Sequence, residues 1–521
     1  MQTNPYLVAV RAALPRILAL FDTDRTSASH GVGDRRHWAW GVIDFANATF
    51  QGAAHGLARL WTSGLWPYET PAERFLERID ALFAGTRRLT RSDGSLEEAF
   101  PHEGSFCVTA LVAYDLLCAL ELLGSAVPAQ MRARWQATIA RLIGHLLTAD
   151  EGHAFISNHL ATAAAALARW HSLTGDLASE TKARQLFERI VEHQSSEGWY
   201  EEYGGADPGY QSLATCYLAD LHRLRPQWGM GESLQRSLEF LWHFAHPDGS
   251  FGGLYGSRCT RFYFPAGIEL LASALPQAAA LAQTLADSVS ESRVVGLDSI
   301  DEPNLVPMFN AYCWAAELRA AEPNRGEPPV VVPALRGQAL RKHFERAGLW
   351  VDAGPSHYTV IGAHKGGVVM HFRDGRLARC DAGVVVRNRR GRLGSTQALA
   401  PSNVAQLAGD TLSISADVCR MPKRLPAPWQ FALLRLGCIS VLRVPSWRET
   451  IKRLLVRWLI SGRQVWPVRN SRRIRLGPDL EISDDTRLGD GYSVVEQPGA
   501  FVAIHMASQG YWQRQDEASP R

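Results

Sequence analysis

No two cysteines in this 521-residue chain form a CxxC pair; the eight, Cys107, Cys118, Cys216, Cys259, Cys313, Cys380, Cys419 and Cys438, are scattered, several inside apolar helical runs. They read as reduced, buried thiols, which excludes a disulfide frame and a cysteine-built zinc site. No run of eighteen apolar residues occurs, so no membrane span is expected. Helix-turn-helix, zinc-finger and aromatic RNA-binding signatures are also missing, so nucleic acid is not an expected partner. The amino-terminal stretch PYLVAVRAALPRILALF is interrupted by Arg11, Pro15 and Arg16, so it lacks the apolar centre of a secretory signal. Cytoplasmic residence is the expectation, with peripheral contact at the inner membrane as its variant.

What is present is the profile of a folded protein: 46% hydrophobic and 21% charged residues. At this length more than one domain is expected. The net charge of +3 conceals an asymmetry, because residues 1–330 sum to −11 and residues 331–521 to +14. A basic second half points to an anionic partner, such as an acidic polysaccharide or a phospholipid surface. The sixteen Trp either fill core or line a groove that stacks on sugars.

Between residues 70 and 320, segments such as VTALVAYDLLCALELLG and HLATAAAALARWHSLTG place apolar or small residues three and four apart, as buried helix faces require. Each is preceded by a related turn. Acidic-Gly pairs begin at 93, 151, 197 and 248, about fifty residues apart, the length of a two-helix repeat. Equivalent turns then fall at the same end of the array and become neighbours. The spacing predicts an incomplete (α/α) toroid over residues 1–320. A Pro-rich linker follows at 321–340, and β-branched runs with Gly366-Gly367 and Asp374-Gly375 turns predict an antiparallel β-sandwich domain over 341–521. Within that domain, residues 446–461 read as a basic amphipathic helix, with Ile451, Leu454, Leu455, Trp458 and Leu459 on one face among Arg448, Lys452, Arg453 and Arg457. Such a helix either lies in an anionic membrane interface or packs on its own domain.

The four turns carry polar groups that apolar packing would not select. The first brings His102 and Glu103, the second Asn158 and His159. The third brings Trp199, Glu201, Glu202, Tyr203, Asp207 and Tyr210, and the fourth Arg258, Arg261 and Tyr263. Amide, imidazole, phenol and guanidinium together suit proton abstraction beside a carboxylate. A uronate C5 proton becomes acidic once its carboxylate is neutralised, which an Asn amide, an Arg or a protonated His can do. A neutral His or a tyrosinate then takes the proton and a Tyr protonates the departing 4-oxygen. No metal and no cofactor are called for.

The stretch from Phe100 to Leu271 resembles heparinase II/III-like and alginate-type polysaccharide lyases. The resemblance rests on Asn158-His159 opening an inner helix, on the Glu-Gly-Trp-Tyr-Glu-Glu-Tyr run, on Asp207-Pro208-Gly209-Tyr210, and on the domain order. It implies a carbon–oxygen lyase acting on an acidic polysaccharide. Asn158 would neutralise the uronate, His159 would be or assist the base, and Tyr210 would be the acid, with Tyr203 competing for that role. His102, Glu103, Trp199, Glu202, Arg258, Arg261 and Tyr263 are expected around the substrate. One departure stands out: the family's His-rich motif at the start of the β-domain is replaced by GAHKGGVVMHF, with His364 and His371 seven apart.

Other readings of the same rim stay open. An inverting glycoside hydrolase would pair Glu103 with Glu202 or Asp207 across about 6.5–9.5 Å. A uronyl C5-epimerase would use Asn158, His159 and Tyr210 without cleaving the chain. A terpene-cyclase-like toroid lacks its aspartate cluster. A non-catalytic polysaccharide-binding or assembly protein would rely on the basic second half.

Overall fold

The computed structural model describes residues 4–152, 154–323, 325–421, 427–456 and 463–496. Its amino-terminal part contains α1 (Pro5–Leu18), α2 (Arg35–Trp38), α3 (Ala53–Thr62), α4 (Ala72–Leu89), α5 (Phe106–Leu123), α6 (Ala129–Thr148) and α7 (Ser157–Thr174). There follow α8 (Leu177–His193), α9 (Pro208–Leu224), α10 (Gly231–Leu241), α11 (Pro265–Leu271), α12 (Pro276–Ser290) and α13 (Glu302–Ala321).

Two kinds of helix alternate, and their sequences explain the difference. In α4 only one stripe, including Phe75, Ile79, Leu82 and Phe83, is buried, so it lies in an outer layer. In α5 nearly every residue is buried, which places it inside; Ser105 caps its first turn by accepting from the Val108 amide. This is the described helix long and apolar enough to cross a membrane, and 83% of that window is buried in the protein. The fully buried Ala163 to Ala166 of α7 let its neighbours approach closely. The inner helices α3, α5, α7, α9, α11 and α13 each pack on the next, and α13 returns to α3. A toroid with a closed inner ring results, fuller than the four turns in the sequence indicated.

Two of the acidic-Gly turns show why glycine is needed. Gly94 and Gly198 adopt φ of +81° and +97°, and a Cβ on either would strike the backbone carbonyl of Arg141 or Arg236 on the next outer helix. At these two positions the repeat is thus a joint that tucks the turn under the following hairpin.

The carboxy-terminal part holds two antiparallel sheets. The first is a meander of β1 (Leu340–Phe344), β2 (Leu349–Gly354), β3 (His357–Gly362), β4 (Val368–Arg373) and β5 (Arg376–Asp381). The second comprises β6 (Val385–Asn388), β7 (Leu393–Ser395), β8 (Val404–Ala408), β9 (Thr411–Arg420), β10 (Val465–Arg475), β11 (Glu481–Arg487) and β12 (Tyr492–Val495). Its order is β11-β10-β9-β7-β6-β12, with β8 also on β9. Period-two alternation gives the first sheet two apolar faces. Val351, Tyr358, Val360, Met370 and Phe372 join the toroid core, while Trp350, Ile361 and Val369 meet Leu412, Ile414 and Ile474 of the second sheet. Tyr358 also donates to the His243 carbonyl at 2.7 Å.

Helices α14 (Pro428–Ile439) and α15 (Pro445–Val456) interrupt the second sheet between β9 and β10. The expected amphipathic helix corresponds to α15; its predicted continuation through Arg457, Trp458 and Leu459 lies outside the described residues. From α15, Arg448 reaches the toroid, where Nη1 donates to the His102 carbonyl at 3.3 Å and Nη2 lies 3.7 Å from Asp93.

Candidate active site on the toroid rim

Backbone hydrogen bonds stitch the rim turns together before any side chain acts. The amide and hydroxyl of Ser157 both donate to the Glu201 carbonyl, at 3.1 and 2.8 Å, tying the second turn to the third. Ser257 does the same between the fourth turn and the third, donating through its hydroxyl to the Glu202 carbonyl at 2.9 Å. Asp207, fully buried, accepts from the Tyr210 amide at 3.2 Å to start α9 and from the Arg258 amide at 2.9 Å. One carboxylate therefore fixes the positions from which Tyr210 and Arg258 project.

On this frame a chain of polar side chains crosses three turns. Asn158, in the first turn of α7, donates through Nδ2 to Glu202 Oε2 at 2.8 Å. Arg258 Nη1 donates to Glu202 Oε1 at 2.6 Å, and both partners of this ion pair are nearly buried. The same guanidinium lies 4.2 Å from the ring centroid of Tyr210 and 4.9 Å from that of Tyr203, with Nη2 3.4 Å from the Tyr210 hydroxyl. A cation over two phenol rings favours negative charge on either oxygen. Burial raises the Glu202 carboxyl above its usual range, and Arg258 draws it back. Burial also raises the Tyr203 hydroxyl, against the pull of Arg258. Tyr203 holds a φ of +52°, as His102 and Cys259 on neighbouring turns hold +65° and +57°. Non-glycine residues in that region carry strain of about 1–3 kcal/mol each, which the surrounding packing must hold.

His159 sits beside this chain with a partner that sequence reading did not assign. Its Nδ1 is 2.5 Å from Glu151 Oε2, and it also hydrogen-bonds with Cys107 near the start of α5. Burial disfavours its charge, but the Cys107 sulfur and the Glu151 carboxylate outweigh burial and raise its pKa well above the usual value. The Glu151 contact thus favours the protonated form of His159. Glu151 was visible only as half of an acidic-Gly pair; its use as a histidine partner depends on the turn folding back over eight residues.

Several expected substrate contacts are engaged elsewhere. Glu103 accepts from the amides of Glu98 and Ala99, at 3.2 and 2.7 Å, and shapes its own turn. His102 receives Arg91 on its ring at 3.0 Å and donates its amide to Glu97 at 2.6 Å. Trp199 donates to Glu197 at 2.9 Å, and Glu197 in turn accepts the Arg346 and Ala347 amides of the β-domain. Arg261 faces the sulfur of Cys380 on β5 at 3.9 Å. Tyr263 is fully buried, donating to the Leu285 carbonyl and paired with the Tyr6 hydroxyl at 3.0 Å, so it belongs to the core between α1 and α12. Its full burial corrects Tyr263 as a substrate-facing group. The chain turns into the core between Arg258 and Tyr263, which the sequence does not signal.

Neither His364 nor His371 joins the chain. His371 pairs with Thr359 on β3 at 2.8 Å, and His364 packs where a Cβ on Gly348 would collide with it. What the β-domain supplies is Lys365, a buried side chain whose Nζ donates to the Gly256 carbonyl at 2.8 Å and contacts Cys259 Sγ at 2.6 Å in the fourth turn. Among the described residues no group of three or more His, Cys, Asp or Glu side chains is placed to hold a metal ion.

No protein-family model matches the sequence, and no curated protein matches it either. Solved structures do match. A chondroitin AC lyase from Streptomyces coelicolor A3, solved with chondroitin sulphate, superposes with a TM-score of 0.53 at 14% identity, over 81% of this chain and 65% of its own. A Paenibacillus xanthan lyase matches over 80% of this chain and 45% of its own, with a TM-score of 0.45 at 10% identity. A heparinase III matches over 81% and 76%, with a TM-score of 0.41 at 13% identity. The chain thus spans less than two thirds of the first two lyases. It has a polysaccharide-lyase-like fold.

Proposed function

We propose that the protein cleaves an acidic, uronate-containing polysaccharide by β-elimination. The observation that carries this reading is the Asn158–Glu202–Arg258 chain lying against two tyrosine rings. Asn158, Arg258 and His159, whose protonated form Glu151 favours, would supply the amide and positive groups that neutralise a uronate carboxylate and lower the C5–H pKa. Tyr210, beside the Arg258 guanidinium, is the group that would take the C5 proton as a phenolate. The C5–H electron pair then forms the C4–C5 double bond, the C4–O bond breaks, and the departing oxygen receives a proton from a Tyr hydroxyl. Tyr210 can return the proton it took, or Tyr203 can donate its own, since burial keeps Tyr203 protonated. Water takes no part, and no oxidant or metal is required.

The similar chondroitin AC lyase was solved holding chondroitin sulphate, which supports an anionic polymer as substrate. Hydrolysis by the expected carboxylate pairs is disfavoured: Glu103 is bonded to its own turn, and Asp207 is the buried clamp between α9 and the fourth turn. The test is to digest uronate polymers in heavy-oxygen water and analyse the products by mass spectrometry. Elimination leaves the new chain ends unlabelled and one product unsaturated. Label at the new reducing end would overturn the reading in favour of a hydrolase.

A further inference from the structure

Helix α14, PWQFALLRLGCI, is apolar on almost every side, yet Cys438 is its one buried residue. Trp429, Phe431, Leu433, Leu436 and Ile439 are 53–63% exposed, in a protein that buries its other strongly apolar helix, α5, almost completely. The exposed surface continues through Val444 to Trp447, 59% exposed, on α15. On the loop that Arg435 contacts, Trp40 and Val42 are also exposed, 73% and 70%. Arg435 fastens these pieces, pairing with Asp44 at 3.0 Å and lying 5.3 Å from the Phe45 ring centroid. A helix apolar all round is stable in water only when something covers it, and a contiguous patch of this kind marks an interaction surface.

The charge around the patch selects the cover. Among the described side chains from α14 to α15 the charged ones are arginines: Arg443 and Arg453 are exposed, while Arg435 and Arg448 face Asp44 and Asp93. Asp44, the nearest acid on the adjoining loop, is already paired with Arg435. A two-fold contact with a second copy would set these cations against one another. An anionic bilayer instead satisfies both features: arginines meet lipid phosphates, Leu, Ile and Phe enter the acyl boundary, and the three Trp take the headgroup level.

We propose that α14, the α14–α15 connection and the Trp40 loop form a docking surface for anionic lipid bilayers, with α14 lying in the plane of the interface. The sequence alone pointed to residues 446–461 for such contact. The structure moves its centre to α14, because α15 spends Arg448 on the first rim turn. Through that tether the docking surface adjoins the rim, and docking holds whichever reaction the rim performs.

The experiment is co-sedimentation of the full chain with phosphatidylcholine vesicles, with and without about one third phosphatidylglycerol, together with intrinsic Trp fluorescence. The expected result is at least tenfold stronger partition onto the phosphatidylglycerol vesicles, a blue shift on binding, and weakening at high salt. The variant Trp429→Ser/Leu433→Ser/Leu436→Ser should lose at least tenfold in partition with an unchanged melting temperature. Arg443→Glu, on an exposed position, gives a second variant expected to weaken binding severalfold. No partition onto anionic vesicles, or partition that neither variant alters, would overturn the proposal. So would a wild-type dimer in analytical ultracentrifugation that the triple variant abolishes, since the face would then belong to a second copy.

Discussion

Asn158 holds Glu202 at 2.8 Å through its side-chain amide, and the other oxygen of Glu202 holds Arg258 at 2.6 Å. Residues exactly one hairpin apart are thereby made into one electrostatic unit. Glu202 orients the two groups proposed to receive a uronate carboxylate, and its own charge keeps Arg258 from lying unpaired in a buried place.

Removing that centre should unfold more than it inactivates. Glu202→Ala leaves Arg258 buried without its main anion, and breaking a buried pair from one side costs about 3–5 kcal/mol. Urea denaturation of the variant should show a loss of that order. A loss under about 1 kcal/mol would mean that the pair is not integral to the rim.

Arg258→Lys separates charge from shape. A lysine can still reach Glu202, but it lacks the planar face that lies against both Tyr210 and Tyr203. The variant is expected to stay folded and to lose about 100-fold in kcat/KM, the scale of one missing electrostatic group at a reacting centre. Steady-state kinetics beside a thermal melt reads both effects.

The His159–Glu151 contact makes a pH-dependent contribution whose sign follows from the raised folded-state pKa. A histidine that gains a partner stabilises the fold fully below its unfolded pKa, about 6.5. That contribution fades as pH rises through the higher folded value. Melting temperatures across this alkaline limb should therefore fall more steeply for the wild type than for His159→Gln. Identical slopes would contradict an imidazolium at this position.

The turn glycines give a paired test. Gly198→Ala forces a side chain into φ +97° and against the Arg236 carbonyl, and should cost more than about 1 kcal/mol. Gly152 has nothing within 4 Å of where a Cβ would stand. Gly152→Ala should stay within about 0.5 kcal/mol of wild type. Thermal melts of the two proteins decide it.

The toroid was legible because its signal is local and repeated: helical spacing of small residues, and a glycine wherever a turn must pass under the next hairpin. That Asn158 and Tyr210 stand on one rim was legible for a related reason, each being a polar residue in the first turn of an otherwise buried helix, whereas Arg258 lies in the loop seven residues before α11. The roles of Glu202, Glu151 and Lys365 were not, since each depends on a contact made by a different turn or domain. Tyr263 shows the opposite failure. It stands five residues from Arg258, but the chain dives into the core between them, and only the Tyr6 and Leu285 contacts reveal it. The exposed α14 was illegible because PWQFALLRLGCI has the composition of a buried helix; composition does not say what will cover it.

The most direct measurement is the ultraviolet absorbance of purified protein incubated with a panel of uronate polymers, beside Asn158→Ala and Tyr210→Phe. β-Elimination requires the conjugated chromophore of a C4–C5 unsaturated uronate to grow with at least one polymer, and to fall about 100-fold or more in each variant. No chromophore with any polymer, or deuterium entering C5 from heavy water without chain cleavage, would contradict a lyase.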